Sequence, residues 1–105
     1  MPKKTKVKNF NRITVVENNR GLNSLILKSL NREGFQTASA FTGEQALKKI
    51  ETGNHDILLI DYKLPDMTAK ELIQILLEKK LFIPFVIMTG HGSEKIAVEM
   101  MKMGA

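Results

Sequence analysis

Ile57-Leu58-Leu59-Ile60-Asp61 decides how this chain folds. Four consecutive aliphatic residues are the pattern of a strand buried on both faces, which a parallel sheet covered by helices requires. The carboxylate straight after them either caps a solvated strand end or is placed to react. In open parallel sheets, sites form just beyond the carboxyl ends of the strands. Tyr62-Lys63-Leu64-Pro65-Asp66 follows as a loop, with Pro65 shaping its course.

Short apolar strands alternate with helical patterns on both sides of this run. Ile13-Thr14-Val15-Val16 is a β-branched strand ending in Glu17-Asn18-Asn19. From about Arg20 to Arg32, Leu22, Leu25, Ile26, Ser29 and Leu30 fall at helical spacing, and Gly34 supplies the stop. Phe35 to Phe41 is a weaker strand. Thr42, with Gln45 three residues on, opens a helix as a capping box; Ala46, Leu47 and Ile50 follow, and Gly53 ends it. Thr68 with Glu71 caps the next helix, which carries Leu72, Ile73, Ile75, Leu76 and Leu77. Pro84 introduces the strand Phe85-Val86-Ile87-Met88, which runs into Thr89-Gly90-His91-Gly92. Ser93 caps a last helix with Ile96, Ala97, Met100 and Met103 inward. The order βαβαβαβα with short connections predicts an α/β fold, a doubly wound parallel sheet with helices on both faces.

The bulk numbers agree with one small domain. The chain has 105 residues, 43% hydrophobic and 26% charged, an ordinary globular balance. No stretch approaches the ~18 apolar residues of a membrane span. The first ten residues are basic without an apolar core, which argues against a secretion signal. The absence of cysteine excludes a disulfide framework and fits a cytoplasmic protein. The net charge of +5 owes much to Lys3, Lys4, Lys6 and Lys8, so residues 1–10 read as a basic disordered tail ahead of a domain at 11–105. The remaining basic residues alternate with acids along helices. With one Tyr and no Trp, the chain lacks the basic-aromatic interleaving of a single-strand nucleic-acid surface, and no direct nucleic-acid binding is expected.

If the sheet is parallel, Glu17-Asn18, Asp61 and Thr89 gather at one edge. Two carboxylates and an amide suit a hard divalent cation such as Mg²⁺, which keeps waters and takes one or two carboxylates. A carboxylate oxygen can attack phosphorus to give an acyl phosphate. A hydroxyl such as that of Thr89 can donate to a phosphoryl oxygen.

From Ile13 to Ala105 the sequence resembles the receiver domain of two-component response regulators, a flavodoxin-like fold of five strands. The resemblance is carried by Val15-Val16-Glu17-Asn18, by Asp61-Tyr62-Lys63-Leu64-Pro65-Asp66-Met67, by Met88-Thr89-Gly90-His91-Gly92 and by Met103-Gly104-Ala105. It implies that Asp61 is the phosphoacceptor, charged from a sensor histidine kinase or a phosphotransfer domain. It implies Glu17 and Asn18 as the metal-binding pair, the backbone carbonyl of Lys63 as a further Mg²⁺ ligand, and Thr89 as the switch hydroxyl. The helix from Ser93 to Met103 would carry the output. His55 and His91 read as exposed or structural rather than as ligands.

Two departures from the family pattern follow. Asn18 stands where a second carboxylate is usual, which predicts weaker Mg²⁺ binding. The chain also stops before the fifth strand, the lysine that pairs with the phosphoryl group and the final helix, so it is expected to be a truncated domain with four strands. Phe85-Val86-Ile87-Met88 would then be an apolar edge, open to a homodimer through the last strand and helix. A phosphorylation-independent pseudo-receiver is the competing reading. A nucleotide or flavin enzyme is disfavoured because no glycine-rich phosphate loop follows the first strand.

Overall fold

In a computed structural model, the structure describes residues 12–53 and 55–90. Seven elements follow in order: β1 (Arg12–Val16), α1 (Arg20–Arg32), β2 (Gln36–Ala40), α2 (Gly43–Thr52), β3 (Ile57–Asp61), α3 (Ala69–Glu78) and β4 (Phe85–Met88). The four strands are all parallel, in the order β2-β1-β3-β4. The α/β class and the parallel arrangement are as the aliphatic run at 57–60 implies. The readings made for residues 1–10, His91 and the helix from Ser93 to Met103 lie outside the described residues.

The sheet separates two cores by residue parity, as the alternation of strand side chains requires. Ile13, Val15, Ile57, Leu59 and Met88 pack with Ile26 and Leu30 of α1 on one face. Val16, Ala40, Leu58 and Ile60 pack with Ala46 and Ile50 of α2 and with Leu72 and Leu76 of α3 on the other. Both faces of β3 are therefore covered, and its first four residues are buried. At its near end, the Asp56 N–H donates to the Arg12 carbonyl at 2.9 Å and the Arg12 N–H donates to Asp56 Oδ2 at 2.9 Å. At its far end, the Tyr62 N–H donates to the Met88 carbonyl at 3.0 Å.

Helix ends follow from local chemistry. Thr68 and Glu71 make a complete capping box at α3. The Thr42 hydroxyl accepts from the Gln45 N–H, but the Gln45 side chain accepts from Phe41 rather than from Thr42, so that box is displaced by one residue. Helix α1 closes in a Schellman motif, with Phe35 N–H donating to the Leu30 carbonyl and Gly34 N–H to the Asn31 carbonyl. Gly34 sits at φ +97°, where a Cβ would be strained. Helix α3 closes the same way, through Leu81 to Leu76 and Lys80 to Leu77, but the left-handed position is taken by Lys80 at φ 60°.

Two side-chain readings need correction, while His55 proves structural. Leu25 and Leu77 are 64% and 52% exposed, so their helical spacing does not turn them inward. The inward residue of α1 near its start is instead Asn23, buried together with Ile26 and Leu30. His55 is half-buried below the strands and ties them to α2: one ring nitrogen meets the Thr14 hydroxyl, and Nε2 lies 2.8 Å from the Lys49 carbonyl. A carbonyl can only accept, so Nε2 carries a proton there.

Candidate functional site

The strand order places the chain's change of winding between β1 and β3. From β1 the chain moves to β2 on one side, and β3 and β4 add on the other. Helix α1 therefore leaves β1 towards one face while α3 leaves β3 towards the other, and the rim between the two strands stays open.

The register sets the residues at this rim. Val16 pairs with Ile60, so the next positions, Glu17 and Asp61, stand beside each other across two adjacent strands. Asp61 pairs with Met88, which puts Thr89 one step beyond on the other side. Neighbouring strands lie ~4.8 Å apart, so the three positions share one local edge. The juxtaposition expected from the sequence is therefore present in the backbone.

Glu17 is 6% exposed and its placement is tightly held. Its N–H donates to the Ala40 carbonyl at 3.0 Å, its own carbonyl accepts from Asn23 Nδ2 at 3.0 Å, and its Oε2 accepts from the Asn19 N–H at 2.9 Å. Asn18 is exposed, and its amide nitrogen donates to the Phe41 carbonyl at 3.1 Å, which leaves the amide oxygen as the acceptor it can offer a cation. Asn19 also caps α1, its Oδ1 accepting from Leu22 N–H. Arg20 lies with its guanidinium 4.0 Å from the ring centroid of Phe41, a cation–π contact beside the same turn.

Asp61 is half-buried. Desolvation pushes its carboxyl above the usual carboxylate range, opposed by a backbone hydrogen bond from Tyr62. The loop beyond it is closed by a Lys63–Thr68 bridge, by Leu64 N–H to the Met67 carbonyl and by Ala69 N–H to the Tyr62 carbonyl. Lys63 and Thr89 are both exposed. From this same loop, Asp66 reaches across to α2: its two oxygens accept from the N–H groups of Gly43 and Glu44 at 2.8 and 2.9 Å. Burial raises the Asp66 carboxyl, but the N–H groups of Gly43, Glu44 and Asp66 itself outweigh it and hold the carboxyl below its ordinary value.

No three His, Cys, Asp or Glu side chains among the described residues gather to hold a metal. What the register brings to the rim is instead two acidic positions, Glu17 and Asp61, with the amide of Asn18 next in sequence. That all-oxygen chemistry fits Mg²⁺, which takes few protein ligands and keeps water. The partial desolvation of Asp61 fits as well, since a neighbouring cation favours the charged carboxylate. Asn23 acts here without a motif to announce it, and Asp66, though part of the quoted loop motif, has a capping role that the motif does not show. The only sequence signal for Asn23 was its i, i+3, i+7 spacing with Ile26 and Leu30.

A parallel sheet in this order, with carboxylates at the crossing point, defines a flavodoxin-like receiver fold. Comparison with known proteins agrees: the model of the response regulator receiver domain matches residues 13–105, and the chain belongs to that family. It is 32% identical over 94 residues to the alkaline phosphatase synthesis transcriptional regulatory protein PhoP of Bacillus subtilis, covering 90% of this chain and 39% of the relative. It is 31% identical over 94 residues to sporulation initiation phosphotransferase F of the same organism, covering 90% and 76%. Among solved structures, the response regulator protein TrrA of Thermotoga maritima, in complex with Mg²⁺-BeF, superposes with a TM-score of 0.72 at 26% identity, covering 88% of this chain and 80% of that one. The chain thus spans about two-fifths of the length of PhoP. Receiver domains are signalling modules rather than metabolic enzymes. No helix among the described residues is long and apolar enough to cross a membrane.

Proposed function

We propose that the domain, running from residue 11 behind a basic tail at 1–10, is a phosphorylation switch with Asp61 as its phosphoacceptor. The observation that carries this reading is the register that stands Glu17 and Asp61 side by side at the open rim, with Thr89 one step past Met88. The donor is a phosphohistidine on a sensor histidine kinase or a phosphotransfer domain, met in the cytoplasm. An Asp61 oxygen attacks phosphorus, the P–N bond breaks, and the imidazole nitrogen keeps the electron pair.

Glu17, the amide oxygen of Asn18, Asp61 and the carbonyl of Lys63 would hold Mg²⁺, which when bound neutralises charge on the phosphoryl oxygens. The Thr89 hydroxyl donates to one of those oxygens and draws the end of β4 inward. The acyl phosphate adds roughly two negative charges, enough to bias a loop between two positions. Among the described residues β4 is one of the two edges of the sheet, the one next to the Asp61 strand, and it is the surface through which a homodimer or partner would read the switch.

Acetyl phosphate with Mg²⁺, read by intact mass, tests the proposal. Wild type should gain one phosphoryl group and Asp61→Asn should gain none. A specific observation favours a second reading: the Asn18 amide is engaged with Phe41, and the pair lacks one charge. Absence of labelling at saturating donor and Mg²⁺ would support that pseudo-receiver, a binding module that works without phosphorylation.

A further inference from the structure

Position 23 lies on the inward stripe of α1, in line with Ile26 and Leu30, where an aliphatic side chain is the ordinary solution. The residue there is Asn23, 1% exposed. Its amide nitrogen faces three carbonyl oxygens, those of Glu17 at 3.0 Å, Ala40 at 3.3 Å and Val15 at 3.4 Å. Its Oδ1 is buried with no hydrogen-bond partner. A buried orphan oxygen is a cost that native structures rarely carry without a reason. Three carbonyls clustered on the other side of the amide supply the reason, because only a donor satisfies them. They also fix which way the amide is turned, since an oxygen facing that cluster would be repelled.

The Glu17 carbonyl belongs to the peptide plane that joins Glu17 to Asn18. Holding this carbonyl fixes ψ of Glu17 and φ of Asn18 together. The groups on either side of this plane are held from β2, because the Ala40 carbonyl accepts from Glu17 N–H in the preceding peptide and the Phe41 carbonyl accepts from the Asn18 side chain. We propose that Asn23 is a positioning residue for the cation site: from the buried face of α1 its amide sets the peptide between Glu17 and Asn18, so that both oxygens face the rim. This inference rests on the reading of Glu17 and Asn18 as Mg²⁺ ligands. It adds that an uncharged residue outside the rim determines how well they work, as outer-shell partners do at other metal sites.

The test is a Mg²⁺ titration of the whole chain, read by the fluorescence of Tyr62, the only tyrosine in a chain without tryptophan and next to Asp61. Asn23→Leu keeps the branched shape and heavy-atom count, with a somewhat larger volume, and removes the donor. It should weaken Mg²⁺ affinity by about tenfold or more, while acetyl phosphate labelling returns to the wild-type rate when Mg²⁺ is raised in proportion. Leu27→Ala, a packing change in the same helix, should keep wild-type affinity. If Asn23→Leu does not fold, Asn23→Ala is measured in its place with the same expectation. Wild-type affinity in the Asn23 variant, or an equal loss in Leu27→Ala, overturns the positioning role alone. A wild-type protein that neither responds to Mg²⁺ nor accepts phosphoryl overturns the reading of the rim, and the inference with it.

Discussion

Asp66 closes the start of a helix that begins 23 residues before it, its Oδ1 lying 2.8 Å from the amide nitrogen of Gly43. The carboxylate stands where the positive end of α2 is exposed, and with Thr42 it satisfies the N–H groups of Gly43, Glu44 and Gln45. Met67 packs over the same spot so closely that a Cβ on Gly43 would collide with its thioether. The loop that carries the phosphoacceptor is thus fastened to a neighbouring helix by a charge and by a close apolar contact.

Asp66→Ala should therefore destabilise the domain by about 1 kcal/mol, the usual worth of a capping side chain. The folded-state pKa of Asp66 is depressed, so its contribution is present above the unfolded value of ~3.9 and is lost as pH falls through the lower folded value. Urea denaturation of both proteins should show a difference that is constant near neutrality and closes below about pH 4. A difference that persists undiminished in acid would mean that the hydrogen bonds are not those of a carboxylate.

Lys80→Gly should stabilise the domain. The left-handed backbone at φ 60° costs a side-chain-bearing residue roughly 1 kcal/mol, and glycine removes most of it despite its freer unfolded chain. Thermal denaturation should show a higher midpoint. A lower one would show that the lysine side chain contributes more than its backbone costs.

Asp61→Asn should raise stability at neutral pH in metal-free buffer. Burial has raised the pKa of Asp61, so the folded state disfavours its charge, and the penalty grows as pH climbs from the unfolded value through the raised folded value. For a half-exposed carboxylate the gain should be a few tenths of a kcal/mol, disappearing below about pH 4. Equal stability at all pH values would indicate that the charge is fully solvated or already compensated.

Asn18→Asp restores a second acidic residue beside Glu17. A unit charge ~4 Å away in water is worth about 1 kcal/mol per opposing charge, hence about 2 kcal/mol against a divalent ion. Mg²⁺ affinity should tighten by at least about tenfold, measured through Tyr62. Unchanged affinity would show that the ion is not held at this pair.

The elements were legible in the sequence where one kind of force dominates a short window. The run at 57–60 could bury itself only on both faces, and Thr68 with Glu71 carries a complete local hydrogen-bond logic. Glu17, Asp61 and Thr89 were legible as a group because parallel strands collect their ends. Asn23 was not, since an amide on an inward stripe looks like a break in an amphipathic pattern, and Leu25 offered a more apolar phase for the same helix. The clamp from Asp66 to Gly43 was hidden for another reason. Nothing local to Pro65-Asp66-Met67 shows that the start of α2 will be folded against it.

The fully aliphatic strand has one further consequence. With apolar side chains on both faces, β3 could slide by one residue and still bury hydrocarbon everywhere, so its interior does little to keep its frame. Such a slip would turn Asp61 to the opposite face and separate it from Glu17. The frame is kept by the polar fastenings at its two ends, Asp56 to Arg12 and Tyr62 to Met88. The alignment of the acidic rim is therefore guarded in part from Asp56, at the opposite end of the strand, where sequence change would misalign the chemistry without touching it.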